Sequence, residues 1–231
     1  MTAAAYLTQA ARTVQAVVDT QEPAIRAAGE AVARALADGH RLWTFGTGHS
    51  HLLAEELYMR AGGLDDVHAV LEPSLMLHEG FGKSSTLERL PGFAGALLSQ
   101  YDVGVGDVVL VASNSGRNPV PVEFAEECAA RDAVVVAVTS LDHSRSVTSR
   151  APSGRRLFEV ADIVIDNCGV PGDAVLDVPG VAERVGPTST MTGALIVQAI
   201  VCEAVSQLVE LGHAPRVLRS ANSDQAVSDA R

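Results

Sequence analysis

Lysine is almost absent from this 231-residue chain, since only Lys83 among its 17 basic residues is a lysine. The 28 acidic residues give a net charge of −11. Binding to a nucleic-acid backbone needs a basic face, so this balance argues against a nucleic-acid partner. A field this negative also repels anions. Any phosphate site must therefore be local, built from backbone N–H groups, hydroxyls and helix N-termini.

Cysteines and long apolar runs are also scarce. Cys128, Cys168 and Cys202 are widely separated and show no C-x-x-C spacing, which argues against a disulfide framework and against a zinc knuckle. The apolar runs are too short or too interrupted to span a bilayer, and the N-terminus lacks the pattern of a secretion signal. We therefore expect a cytoplasmic protein without a membrane partner.

What is present is an alternation of short apolar strands and amphipathic helices. Residues 3–20 predict one N-terminal helix, and Pro23 is placed to open a second. Strands are predicted at about 41–45, 67–71, 108–112, 133–138 and 163–165, and further helices at 52–60, 87–100, 119–130 and 188–211. Continuous apolar strands separated by helices indicate a parallel sheet with both faces covered. We expect an α/β fold, a doubly wound five-stranded parallel sheet with a helical pair in one domain over 1–219, and a flexible tail over 220–231.

Three turns carry hydroxyl groups where ligands bind in such folds, beyond the carboxyl ends of the strands. They are Gly46-Thr-Gly-His-Ser50, Ser113-Asn-Ser-Gly-Arg-Asn118 and the Thr188-Ser-Thr190 run at the start of the last helix. Capping of a helix by Asn118 would explain one of these residues but not Ser113 and Ser115. Together the three segments predict a phosphate site.

These same residues resemble the phosphate-binding elements of the sugar isomerase (SIS) domain family, over roughly residues 25–211. The Gly-His-Ser-His turn and Ala54-Glu-Glu-Leu57 resemble its phosphoheptose-isomerase-like branch, and the group closest to this chain includes N-acetylglucosamine 6-phosphate dehydratases. The resemblance implies a flavodoxin-like sheet and a homodimer or homotetramer whose active sites are shared between subunits. It also implies a phosphosugar ligand and no cofactor. Leu52 stands where phosphoheptose isomerases carry a metal-binding histidine, so no metal is expected, although His49 and His51 could offer a different pair.

The resemblance implies substrate and phosphate contacts in all three segments, at Gly48, His49, Ser50, His51, Ser113, Asn114, Ser115, Asn118, Thr188, Ser189 and Thr190. It also aligns Glu56 with a catalytic glutamate. Glu72, His78 and Glu79, in an irregular stretch after the second strand, are further catalytic candidates. Glu88-Arg89 is interpreted as a surface pair of a helix, and the alternative is that it reaches a neighbour's site.

The chemistry open to such a site begins with removal of the acidic C2 proton of an open-chain aldose phosphate. Loss of the C3 hydroxyl then gives an unsaturated aldehyde, whereas reprotonation at C1 gives a ketose. We expect a lyase that dehydrates an N-acetylhexosamine 6-phosphate. An aldose–ketose isomerase and a non-catalytic phosphosugar sensor are the alternatives.

Overall fold

A five-stranded parallel sheet lies at the centre of the computed structural model, which describes residues 3–222. Its strands are β1 (Leu42–Gly46), β2 (Val67–Val70), β3 (Val108–Ala112), β4 (Val134–Thr139) and β5 (Ile163–Asp166). They are ordered β2-β1-β3-β4-β5, and every neighbouring pair is parallel. The predicted sheet is confirmed. Its order reverses direction between β1 and β3, and ligands of doubly wound sheets bind at such a point.

Helices cover both faces of the sheet. They are α1 (Ala3–Ala37), α2 (His51–Leu57), α3 (Phe81–Leu87), α4 (Phe93–Leu98), α5 (Pro119–Ala129), α6 (Leu141–Ser146), α7 (Leu157–Val160) and α8 (Ser189–Glu210). Val108 and Leu110 of β3 face a core shared with α1, α2 and α8, while Val109 and Val111 face one shared with α4, α5 and α7. Successive side chains of a strand point to opposite faces, so a strand covered on both sides is apolar throughout. A separate antiparallel pair, β6 (Ala174–Leu176) and β7 (Val185–Pro187), leads into α8.

The predicted pair of N-terminal helices is wrong, because α1 is one helix of 35 residues with Pro23 inside it. Proline lacks an N–H and its ring crowds the preceding turn, which costs a helix roughly 3 kcal/mol. Buried residues on both sides of the proline, Val17 before it and Ala28 and Val32 after it, belong to the core that α1 shares with α8. Their burial offsets the missing hydrogen bond and keeps the helix continuous.

The helix predicted over 87–100 is also wrong in its extent. The structure has α3 ending at Leu87 and α4 beginning at Phe93, with Pro91 and Gly92 between them. Gly92 has φ +80°, outside the helical region. The spacing of apolar residues did not predict this interruption between the two helices. Of the tail predicted over 220–231, residues 223–231 lie outside the described residues.

Helix α8 is long and apolar enough to cross a membrane by length and composition. In the structure it packs along α1, and Ile196, Ile200 and Ala204 are buried in the shared core. Leu195 and Val209 remain exposed on the other side of the helix. One face therefore belongs to the core, and the other carries exposed apolar residues among polar ones.

Candidate active site

The turn after β1 closes so tightly that it needs glycine. A Cβ on Gly46 would lie 2.3 Å from the carbonyl oxygen of Ser50, far inside any normal contact. Gly48 has φ +56°, a left-handed conformation that glycine adopts without strain. The chain then makes one turn of 3₁₀ helix over Gly48–Ser50 and enters α2. This geometry places Ser50 at the carboxyl end of β1.

The turn after β3 is held by its own side chains. Ser113 Oγ accepts a hydrogen bond of 3.2 Å from the backbone N–H of Gly116, which has φ +56°. The carbonyl of Ser115 accepts one of 2.9 Å from Ser144 Oγ. Within the described residues, neither the backbone N–H groups of Asn114 and Ser115 nor Ser115 Oγ makes a hydrogen bond. The turn thus retains donors for a ligand.

Both turns open into one cavity of about 430 Å³, a size typical of small-molecule sites. Its wall consists of Thr47, Gly48, His49, Ser50, Leu77, Phe81, Ser84, Ser85, Glu88, Arg89, Ser113, Asn114, Ser115, His143, Asp173 and Ser189. Ser189 comes from the start of α8, so residues from all three predicted segments share this wall. A smaller adjoining pocket includes Thr190. That these groups bind phosphate stays a prediction.

Besides Thr190, which lines only the adjoining pocket, the structure leaves three of the predicted contact residues out of the cavity wall. His51 is 1% exposed, with Nδ1 3.3 Å from the carbonyl oxygen of Gly46, and therefore packs behind the turn. Thr188 is fully buried. Asn118 is at the N-cap position of α5 but makes no side-chain capping bond. Its amide instead donates to Glu88 at 2.6 Å and accepts from Arg150 at 2.9 Å, so it connects two neighbouring segments.

Glu56 also lies outside the cavity wall of its own chain. Its carboxylate accepts hydrogen bonds from Arg60 at 2.9 Å and from Gln198 of α8 at 3.1 Å. The carboxylate therefore faces the junction of α2 and α8. Leu52, one turn before Glu56, and Leu195, one turn before Gln198, are exposed apolar residues.

The other three catalytic candidates, Glu72, His78 and Glu79, do not line the cavity either. Glu72 accepts a bond from the backbone N–H of Ser74 and caps a short turn. Glu79 forms an ion pair with Lys83 at 2.9 Å, which lowers the pKa of this exposed carboxyl. His78 is exposed. Their irregular stretch does continue into the cavity wall, through Leu77 and Phe81.

The titratable groups that do line the cavity are His49, Glu88, His143 and Asp173, joined by Arg89. The interpretation of Glu88-Arg89 as a surface pair is wrong. Helix α3 ends at Leu87, and the next two residues line the cavity. His143 and Asp173 were not predicted at all. His143 follows the carboxyl end of β4, so the rule that drew attention to the other turns would also have found it.

Charge and burial give this site a distinct character within an acidic protein. The pKa of Arg150 is lowered by burial first and then by the nearby guanidinium groups of Arg117 and Arg89, although Glu88 opposes the shift. Three arginines thus lie near the turn after β3. Burial lowers the pKa of His143, although the Asp173 carboxylate opposes this. A neutral imidazole can accept a proton from a ligand.

The side chains do not fit a metal site. Across residues 3–222, no group of three or more histidine, cysteine, aspartate or glutamate side chains is arranged to hold a metal ion. What the cavity provides is a set of hydrogen-bond donors, one lining arginine and several acid–base groups.

Comparison with known proteins identifies the family. The model of the SIS domain family matches residues 5–140, more than half of the chain. The chain belongs to the SIS domain family. Two relatives of this SIS protein are UPF0309 proteins. The one from Halalkalibacterium halodurans is 45% identical over 93% of this chain and 89% of its own length, and the one from Listeria innocua is 42% identical over 96% and 90%.

Solved structures show the same SIS fold. A phosphoheptose isomerase from Francisella tularensis matches with a TM-score of 0.60 and 16% identity, over 88% of this chain and 98% of that one. Another from Neisseria gonorrhoeae matches with a TM-score of 0.58 and 18% identity, over 88% and 96%. At such low identity the likeness shows the fold, and the resemblance noted in the sequence is confirmed at that level.

Proposed function

We propose that this SIS protein is a phosphosugar-binding enzyme, a lyase that dehydrates an N-acetylhexosamine 6-phosphate. The observation that carries the proposal is the shared cavity. Turns after two adjacent strands supply glycine-rich backbone and free donors beside Ser50 and Ser115, and acid–base groups line the same wall. Donors without a partner inside the protein favour an anion, and the volume suits a hexose phosphate.

The proposed reaction starts with the open-chain aldehyde of the sugar. A base removes the C2 proton, and the electron pair forms a double bond to C3. The C3–O bond breaks, and the leaving hydroxide takes a proton from an acid and departs as water. We assign the base to His143, because burial favours its neutral form. His49 and Glu88 line the same wall and are the candidate acids.

Glu56 enters this scheme through a second copy of the chain. It lies outside the cavity of its own chain, and its partner Gln198 lies on α8. Leu52, one turn before Glu56, and Leu195, one turn before Gln198, are exposed. Exposed apolar residues that form a contiguous patch mark contact surfaces. We propose that the protein is a homodimer or homotetramer in which Glu56 contributes to a neighbour's site.

The test of the reaction is incubation of the purified protein with N-acetylglucosamine 6-phosphate. A product that absorbs ultraviolet light and is lighter by one water supports the lyase. Unchanged absorbance and mass would reject it. The fold shared with two phosphoheptose isomerases favours an isomerase as the second candidate. That enzyme would give a ketose of unchanged mass and would exchange the C2 proton with solvent. Tight binding without either product would indicate a sensor.

The test of the acid–base assignment uses two variants. His143→Gln should lose turnover by about 100-fold or more and retain binding, since general acid–base catalysis typically contributes 10²–10⁴-fold. Glu56→Gln should behave in the same way. If Glu56 acts across subunits, mixing Glu56→Gln with a Ser115→Trp variant, each inactive alone, restores part of the activity. Full activity in either single glutamine variant removes that residue from the mechanism.

A further inference from the structure

The side-chain carboxylate of Asp173 is hydrogen-bonded to the first residues of α8. One carboxylate oxygen of Asp173 accepts hydrogen bonds from the backbone N–H groups of Thr188 at 3.0 Å and Ser189 at 2.9 Å. The other oxygen accepts one of 2.5 Å from Ser189 Oγ. Asp173 itself lines the cavity. It precedes β6, and the β6–β7 pair brings the chain back so that the carboxylate meets the first residues of α8.

This carboxylate changes what the start of α8 can bind. The N-terminus of a 22-residue helix carries partial positive charge and free N–H groups, which would otherwise suit a phosphate. Here Asp173 uses two of those N–H groups, and the hydroxyl hydrogen of Ser189 points to it as well. A phosphate at this position would meet a carboxylate and find no free donor on Ser189.

The turn after β3 offers the opposite environment. Its free donors at Asn114 and Ser115 share the cavity wall with Arg89, and the charges of Arg117 and Arg150 lie nearby. The two parts of the cavity wall therefore differ in the sign of their charge. An anionic ligand group is favoured at the turn after β3 and disfavoured beside Asp173.

We propose that Asp173 fixes the orientation of the phosphosugar and selects for a substrate with a single anionic group. This inference rests on the proposed function and narrows its substrate class. The phosphate lies at the turn after β3, and the sugar hydroxyls or the acetamido N–H donate towards Asp173. Hexosamine monophosphates with a free 3-hydroxyl fit this arrangement. Hexosamine phosphates that carry a second charge at that end, such as a 3-O-lactyl carboxylate, are rejected.

The experiment uses isothermal titration calorimetry to compare the parent monophosphate with two derivatives that differ from each other mainly in charge. The ligands are N-acetylglucosamine 6-phosphate, its 3-O-lactyl derivative and the methyl ester of that derivative, which has nearly the same bulk without the second charge. The wild-type protein should bind the lactyl acid at least roughly 10-fold more weakly than the ester, because like charges in a shared site repel. Asp173→Asn should reduce this ratio to near one while still binding the monophosphate.

The variants are chosen so that the fold is preserved. Asp173 has φ +68°, and asparagine tolerates this left-handed region, as does glycine in a second variant, Asp173→Gly. Thermal melts check that both variants fold. As a matched control, Ser115→Ala should weaken all three ligands together and leave the acid-to-ester ratio unchanged.

The outcomes separate this inference from the proposed function. If none of the phosphosugars binds the wild-type protein, the proposed function fails and the inference with it. If they bind but the folded Asp173 variants keep the wild-type acid-to-ester ratio, the role of Asp173 is refuted and phosphosugar binding stands. A wild-type ratio near one refutes it equally.

Discussion

Replacing Ser115 by alanine should weaken ligand binding without changing the stability of the fold. Among residues 3–222, Ser115 Oγ has no hydrogen-bond partner, and it lines the cavity at the turn after β3. Its loss should therefore leave the free energy of unfolding within about 0.5 kcal/mol of the wild-type value, as for a substitution that removes no internal contact. Ser113→Ala differs, because it removes the acceptor of the Gly116 N–H inside a buried turn. That change should cost roughly 1–3 kcal/mol of stability.

The effect of Ser115→Ala on binding follows from the charge of the ligand. A hydrogen bond to a charged group contributes about 1.5–3 kcal/mol, so its loss should raise the dissociation constant roughly 10- to 150-fold. Titration calorimetry with N-acetylglucosamine 6-phosphate measures this change, and urea denaturation measures stability. The control is Ser99→Ala, since Ser99 is exposed at the end of α4 and absent from the cavity wall.

One result would refute this reasoning. If folded Ser115→Ala binds the phosphosugar within about threefold of the wild-type protein, Ser115 does not contact the phosphate. The proposed position of the phosphate at the turn after β3 would then be wrong. An equal loss for unphosphorylated N-acetylglucosamine would likewise show that the hydroxyl contacts the sugar rather than the anion.

Three further predictions concern stability and assembly. Gly46→Ala places a Cβ against the Ser50 backbone and should destabilise the fold by about 1–3 kcal/mol in urea titrations, whereas Gly104→Ala, where nothing lies within 4 Å, should not. Burial lowers the pKa of His51, so below pH about 6.5 the unfolded chain binds more protons than the folded chain. The free energy of unfolding should therefore fall from pH 7 to pH 5. An equally steep fall in a folded His51→Gln variant would contradict this. Leu195→Glu, on the exposed face of α8, should convert the proposed oligomer to smaller species in light scattering, and an unchanged mass would argue against the proposed interface.

The sequence by itself determined the sheet. Strands such as 108–112 are apolar at every position because both faces are covered, and this pattern is typical of parallel sheets between helices. The glycine turns at the ends of those strands also predicted the positions of Ser50 and Ser115. Turn-forming residues can be recognised from a few adjacent positions in the sequence.

Only the tertiary structure decided which acid–base groups line the cavity. Glu56 and His143 each lie on the α-helix that follows a strand, yet helix packing turns Glu56 towards Gln198 and leaves His143 in the cavity wall. Asp173 reaches Ser189 across 16 residues through the β6–β7 pair, a contact that no local spacing encodes. Side-chain direction depends on how elements pack against each other, and that information is distributed over the whole chain.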